Sequence, residues 1–168
     1  MKKTWIIVSL ILIMVMALVG CGKKEPTPEE AAATSEAYNA IYENYADQIT
    51  KEGNKYLEEY EAETADETKP VKLIKPANDK VQALAELQKA ASDEMVALMT
   101  ENDDDYSVYE EYFDKLYGVY KNAGLAIYSA YMDKFAELVP DVNDEMKQMM
   151  LNKFSASLNS MVPKAEEK

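Results

Sequence analysis

"DDYSVYEEYFDKLYGVYKNAGLAIYSAYMDKFAELV", residues 104–139, decides the fold. Apolar residues recur in it every three or four positions, which is the spacing of one face of an α-helix. We predict one long helix over these residues, ending before Pro140 because proline cannot continue a helix. The main stripe of this helix consists of Tyr106, Tyr109, Phe113, Leu116, Tyr117, Tyr120, Gly124, Ile127, Tyr131, Phe135 and Leu138.

Further apolar residues widen this stripe. Val108, Tyr112, Val119 and Ala126 carry apolar character over more than half of the helix circumference. A helix that is apolar over so wide a sector must pack against partners on two sides. We therefore place it at the centre of a bundle.

The flanking sequence supplies the partners. Helical spacing predicts helices over 30–62, 77–100 and 143–162, with a weak or bent turn in the first at Glu52-Gly53. Residues 63–75 form a connection, which Val71, Leu73 and Ile74 attach to the core. The last helix turns Met146, Met149, Met150, Phe154, Leu158 and Met161 inward. The predicted fold is all-α, an antiparallel bundle of about four helices with the third, the longest, at its centre.

Composition excludes several kinds of chemistry. The chain has 18 lysines and 31 acidic residues, no arginine and no histidine, and a net charge of −13. Such a negative surface repels nucleic acid, so no nucleic-acid partner is expected. Without histidine there is no catalytic-triad base and no imidazole metal ligand. No P-loop, GxSxG or dinucleotide-binding motif is present either.

The N-terminal segment indicates a location. Lys2 and Lys3 precede an apolar run from Trp5 to Val19, whose 15 residues span only about 22 Å as a helix, short of the roughly 30 Å of a bilayer core. The run ends at Leu18-Val19-Gly20-Cys21, which resembles the lipobox of bacterial lipoprotein precursors. This resemblance implies diacylglycerol on the Cys21 thiol and cleavage between Gly20 and Cys21.

These observations divide the chain. Residues 1–20 form the signal peptide, 21–34 the lipidated cysteine and a polar tether containing Pro26 and Pro28, 35–163 the helical bundle, and 164–168 a charged tail. A helix that begins by Glu29 is the other interpretation of the tether. Cys21 is the only cysteine, so a mature chain that begins with lipidated Cys21 has no free thiol.

The twelve tyrosines have two interpretations. Aromatic residues at helical spacing are typical of core packing, with the ring buried and the hydroxyl at the rim. They can also line a pocket, and Tyr112, beside the main stripe, is then the tyrosine that we expect to be most accessible. Tyr109, Tyr112, Tyr120 and Met149 are the candidate ligand-facing residues.

Two smaller patterns also have alternatives. Met146, Met149 and Met150 share a helix face and could bind Cu(I), but methionine is also an adaptable core residue. The acidic run Asn102–Asp105 matches a calcium loop poorly, because Val108 stands where that loop needs glycine. We interpret this run as the N-cap of the third helix.

We therefore expect a non-catalytic lipoprotein, anchored in the membrane through Cys21 on its extracytoplasmic face. Its acidic bundle would interact with a membrane or cell-envelope protein or with another envelope component. The alternative is a small-ligand-binding lipoprotein with a Tyr/Met-lined pocket between helices. No cofactor and no metal are predicted. An enzyme would have to use carboxylates such as Glu110, Glu111 or Asp114 as its acid and base.

Overall fold

The computed structural model describes residues 27–162, 164 and 165, and this part of the chain is helical without strands. The helices are α1 (Pro28–Thr64), α2 (Ile74–Asn102), α3 (Tyr106–Leu138) and α4 (Asp144–Met161), with one 3-10 turn at Pro70–Lys72. The predicted fold class is confirmed. The predicted signal peptide, the box Leu18-Val19-Gly20 and Cys21 lie outside the described residues.

The third helix is central, as predicted, because α3 packs against each of the other three. Helices α1 and α2 are antiparallel, and so are α2 and α3, which brings Ser92 to Tyr109 and Asn78 to Tyr128. Helix α4 runs back along α3, so that Lys147 pairs with Asp133 at 2.9 Å. The main core lies between α1, α2 and α3, and α4 covers one side of α3.

The first helix differs from its prediction in length. It has 37 residues against 33 for α3, so the prediction that the third helix is the longest is wrong. It begins at Pro28, a residue whose fixed φ and missing N–H suit the first turn of a helix. Residues 28–34, which we assigned to the tether, therefore form the first turns of α1.

Helix α1 continues through Gly53 without interruption. This glycine is buried where α1 crosses α3, and a Cβ built at this position would lie 2.8 Å from the Cβ of Ala123. The missing side chain lets the two helices approach closely. Gly124 also makes room, but for the Leu158 side chain, which would lie 3.3 Å from an added Cβ.

Three residues predicted to face the core are exposed. Val71 in the 3-10 turn is 82% exposed, although its neighbour Leu73 is fully buried as predicted. In α4, Met146 and Met149 are 37% and 51% exposed. This helix lies at the edge of the bundle and buries only Leu158 completely, so its inward stripe is narrower than the spacing of apolar residues suggested.

The predicted N-cap of α3 is confirmed. The Asp105 carboxylate accepts a 2.9 Å hydrogen bond from the backbone N–H of Ser107, which satisfies a free N–H of the first turn. Asp103 ends α2 in the left-handed conformation, with φ of 54°. Two of the acidic residues in this run therefore shape the turn between α2 and α3.

Candidate functional site

The tyrosines join the helices through their hydroxyl groups. Most of their rings pack in the core, and five hydroxyls reach a polar side chain on a neighbouring helix, whereas the buried hydroxyl of Tyr60 has no hydrogen-bond partner among the described residues. This arrangement agrees with the core interpretation, since a buried phenol needs a hydrogen-bond partner. The pairs between helices are Tyr45 with Glu94 at 2.5 Å, Tyr109 with Ser92 at 2.9 Å, Tyr112 with Ser35 at 2.9 Å, Tyr128 with Asn78 at 3.1 Å and Tyr117 with Asn159.

The densest polar group lies where α1 begins. Tyr38 stacks on Tyr112 with 5.5 Å between ring centroids, and its hydroxyl donates to Asp104 at 3.2 Å. Lys115 places its ammonium group 4.5 Å from the Tyr112 ring centroid. Beside them is an open surface depression of about 420 Å³, lined by Ser35, Glu36, Asn39, Ala40, Glu43 and Tyr112.

A second open depression of about 420 Å³ lies at the opposite end of the bundle. Val71 and Pro76 supply its apolar lining, and its charged lining residues include Lys72 and Glu67, which pair at 3.5 Å. None of the four candidate ligand-facing residues lines this depression.

The four candidate ligand-facing residues do not come together. Tyr109 and Tyr120 have no exposed surface, so a ligand cannot touch them in this conformation. Tyr112 is 6% exposed, and the expectation that it is the most accessible tyrosine is wrong, since Tyr42 and Tyr117, among others, are more exposed. Met149 is exposed on α4, far along the bundle from Tyr112. The arrangement does not support a pocket between helices lined by these residues.

Burial raises the pKa of several phenols. It raises that of Tyr45 to about 12, helped by the hydrogen bond to Glu94, and that of Tyr60 to about 12. The pKa of Tyr38 rises through burial and through the nearby Asp104 charge. The hydrogen bond to Glu111 raises the pKa of Lys115. These shifts move each group further from titration at neutral pH, so none becomes a tyrosinate or a neutral amine.

The carboxylates considered for acid–base chemistry are paired with lysines. Glu111 binds Lys115 at 2.6 Å, whereas Glu110 and Asp114 bind Lys164 at 3.3 and 2.7 Å. Within the described residues no three or more acidic, cysteine or histidine side chains are grouped to hold a metal ion. Glu110 and Asp114 hold Lys164 against α3, whereas the Glu111 pair lies within α3.

One buried polar residue was missed in the sequence. Gln88 on α2 has no exposed surface, and its amide nitrogen and oxygen have no hydrogen-bond partner among the described residues. The spacing of Gln88 in the sequence could have indicated its burial, because Gln88 lies between Leu84 and Ala91 on the apolar stripe of α2. A polar residue in such a stripe is expected to be buried.

Comparison with known proteins finds no relative of this chain. No protein-family model, no curated protein and no solved structure matches it. None of the helices in the described part of the chain combines the length and the apolar character needed to cross a membrane. Any functional conclusion must therefore come from the chain's own residues.

Proposed function

We propose that the chain is a lipid-anchored protein on the outer face of a bacterial membrane, whose bundle is a non-catalytic interaction module. The observation that carries this proposal is Leu18-Val19-Gly20-Cys21 at the end of a short apolar run. Two acyl chains on Cys21 would give stable membrane attachment, whereas a single chain would bind only reversibly.

The bundle would lie close to the bilayer. Cys21 and Pro28 are seven residues apart, and seven residues reach at most about 25 Å. The end of the bundle with the α1 N-terminus and the turn between α2 and α3 would therefore face the membrane. Helix α1 is about 55 Å long at 1.5 Å per residue, so it would carry the opposite end well away from the lipid.

The outer surface of α1 supports an interaction role. Five exposed carboxylates lie on one solvent-facing side of this helix and make no ion pair with a lysine in the described part of the chain, whereas Asp47 on the same side pairs with Lys51 at 2.6 Å. The five are Glu29, Glu36, Glu43, Glu58 and Glu61. Removing Lys2 and Lys3 with the signal peptide changes the net charge from −13 to −15. A surface of this sign favours a basic or neutral protein or envelope partner and disfavours nucleic acid.

Membrane fractionation tests the anchor. We expect the wild-type chain in the membrane fraction and the Cys21→Ala variant either released or retained as the uncut precursor. A Ser9→Ala variant, changed within the same segment, is the matched control and should fractionate as wild type. Processed Cys21→Ala protein in the membrane fraction would contradict the proposal.

Partner capture tests the interaction role. Crosslinking in intact membranes should join the wild-type chain to a reproducible partner. Charge reversal at Glu36 and Glu43 should weaken that capture, since it removes negative charge without touching the core. An unchanged capture would exclude the outer surface of α1. Turnover of an envelope substrate by the purified chain, without reproducible capture, would contradict a non-catalytic role.

A further inference from the structure

Three methionines share one side of α4 near its start. Met146, Met149 and Met150 stand at positions i, i+3 and i+4, so they lie on one face of the helix. The sequence left two interpretations of them, as core residues or as ligands of Cu(I). The structure removes the first for two of the three, because Met146 is 37% exposed and Met149 is 51% exposed, whereas Met150 is half-buried.

The exposure of these side chains is unusual in this molecule. In the part of the chain that the structure describes, three large apolar side chains are exposed, and two of them are Met146 and Met149. The methionines outside this group lie in the core or pack against it; they are Met95, Met99, Met132 and Met161. Core packing therefore accounts for those four and leaves the exposed pair unexplained.

Helix geometry brings the three sulfur atoms toward one point. Side chains of a helix lean toward its N-terminus and cover the residues three and four positions earlier. Met149 and Met150 therefore both lean over Met146. Cβ atoms at these spacings are about 5–6 Å apart. Because methionine has three rotatable side-chain bonds, the sulfurs can approach to the roughly 4 Å that a shared ion with metal–sulfur bonds of about 2.3 Å requires.

The ligand atoms indicate which metal binds. A thioether sulfur is a soft ligand, and soft ligands select Cu(I). Hard cations such as Ca²⁺ and Mg²⁺ prefer oxygen. The chain has no histidine, and its only cysteine is Cys21. Methionine is therefore the only soft ligand in the bundle, and no imidazole is present to favour Zn²⁺ or Cu(II).

The charge around the three methionines does not oppose a monovalent cation. Asp144 and Glu145, in the first turn of α4, are exposed and make no salt bridge in the described part of the chain. Lys147 pairs with Asp133 of α3 at 2.9 Å, which offsets its charge. Lys153, one turn further along α4, has no salt bridge among the described residues. Three carboxylates and two ammonium groups leave these surroundings negative.

We infer that Met146, Met149 and Met150 bind a Cu(I) ion at the surface of α4. This inference goes beyond the proposed function and does not depend on the lipid anchor. It departs from the prediction that the chain holds no metal, because the structure places two of these methionines outside the core. The ion would lie at the end of the bundle where α4 begins. Ligands of another protein can reach it there, since two of its own ligands are exposed.

Competition for Cu(I) tests the site. The test uses the full-length Cys21→Ala chain in detergent, which has no thiol, and Cu(I) supplied on a chromophoric chelator in the absence of oxygen. This chain should take up one Cu(I) ion more than the same chain with Met146→Leu and Met149→Leu. Met99→Leu with Met161→Leu is the matched control, since it also removes two thioethers and should leave the uptake unchanged.

The comparison of these variants has a clear negative result. Leucine replaces methionine at similar volume, so circular dichroism of both double variants should match that of the parent chain. Equal uptake by the parent chain and the Met146→Leu, Met149→Leu variant would overturn the inference. A control variant that loses the same uptake would overturn it as well.

Two further measurements separate thioether ligands from the neighbouring carboxylates. A thioether has no proton to lose, so Cu(I) uptake, corrected for the chelator, should stay constant between about pH 7 and pH 4, whereas carboxylate ligands would protonate. Met150→Leu should weaken Cu(I) binding severalfold through loss of the third sulfur. Uptake that falls as carboxylates protonate would overturn the inference, and so would unchanged affinity in Met150→Leu.

Discussion

Substituting alanine for Gly53 should force α1 and α3 apart. The added Cβ would lie 2.8 Å from the Cβ of Ala123, whereas carbon atoms pack at about 3.5–4.0 Å. Both atoms are attached directly to helix backbones, so neither can rotate away, and the helices must separate by roughly 1 Å. Such overpacking typically costs about 1–3 kcal/mol.

Helix propensity works in the other direction. Replacing glycine by alanine in a helix stabilises it by about 1 kcal/mol. Gly118→Ala should be stabilised by the same helix-propensity term without a clash, since nothing lies within 4 Å of its added Cβ. The difference in unfolding free energy between the two variants is therefore the packing cost alone, about 1–3 kcal/mol with Gly53→Ala the less stable.

Urea unfolding measures this difference. A chain that begins at Gly22 keeps every buried core residue, and the two variants should differ in midpoint at an unchanged slope. Adding Ala123→Gly to Gly53→Ala removes the clashing methyl group, so the pair should show a coupling energy of about 1 kcal/mol or more. Equal stability of Gly53→Ala and Gly118→Ala would refute the close approach of α1 and α3.

Three further outcomes follow from the buried and capping residues. Gln88→Leu should raise the unfolding free energy by about 1–3 kcal/mol in urea titration, because it removes a buried amide without partners; a loss of stability would mean that the amide is satisfied. The neutral phenols of Tyr45 and Tyr60, whose pKa is raised from 10.0 to about 12, stabilise the fold fully below pH 10, and this contribution should disappear as pH rises through about 12. Alkaline unfolding monitored by circular dichroism and tyrosinate absorbance should therefore begin above pH 10, and ionisation of all the tyrosines without loss of the helical circular dichroism would contradict the burial. Asp105→Ala should lower the unfolding free energy by about 1 kcal/mol through loss of the N-cap, whereas Asp105→Asn should keep most of the stabilisation that the cap provides. Thermal unfolding of the two variants measures this difference.

The helical spacing of apolar residues was sufficient to predict the helical bundle, because it indicates which side of each helix faces the core. It predicted α3 within two residues at its start and one at its end, and it placed the α3 N-cap among the acidic residues. It could not separate a fully packed helix from an edge helix, since both show the same spacing. Met146 and Met149 were misplaced for that reason.

Glycine and proline were harder to interpret. Gly53 was expected to weaken α1, but its role depends on Ala123, 70 residues further along the chain, and no local pattern contains that contact. Pro28 was assigned to a non-helical tether, and Pro76 directly follows residues 63–75, which were predicted to form a connection. Both lie in the first turn of a helix, where proline is tolerated.

The candidate ligand-facing residues do not come together in the structure, for a related reason. Tyr109, Tyr112 and Tyr120 follow the apolar stripe whether that stripe closes a core or lines a pocket. Only the positions of their partners, such as Ser92 and Ser35, distinguish the two.

The mass of the chain isolated from membranes is a direct test of the lipid anchor at Cys21. We expect residues 1–20 to be absent and the N-terminal residue, Cys21, to carry the mass of a diacylglycerol thioether. A chain that still contains residues 1–20 and has an unmodified Cys21 thiol would contradict this expectation.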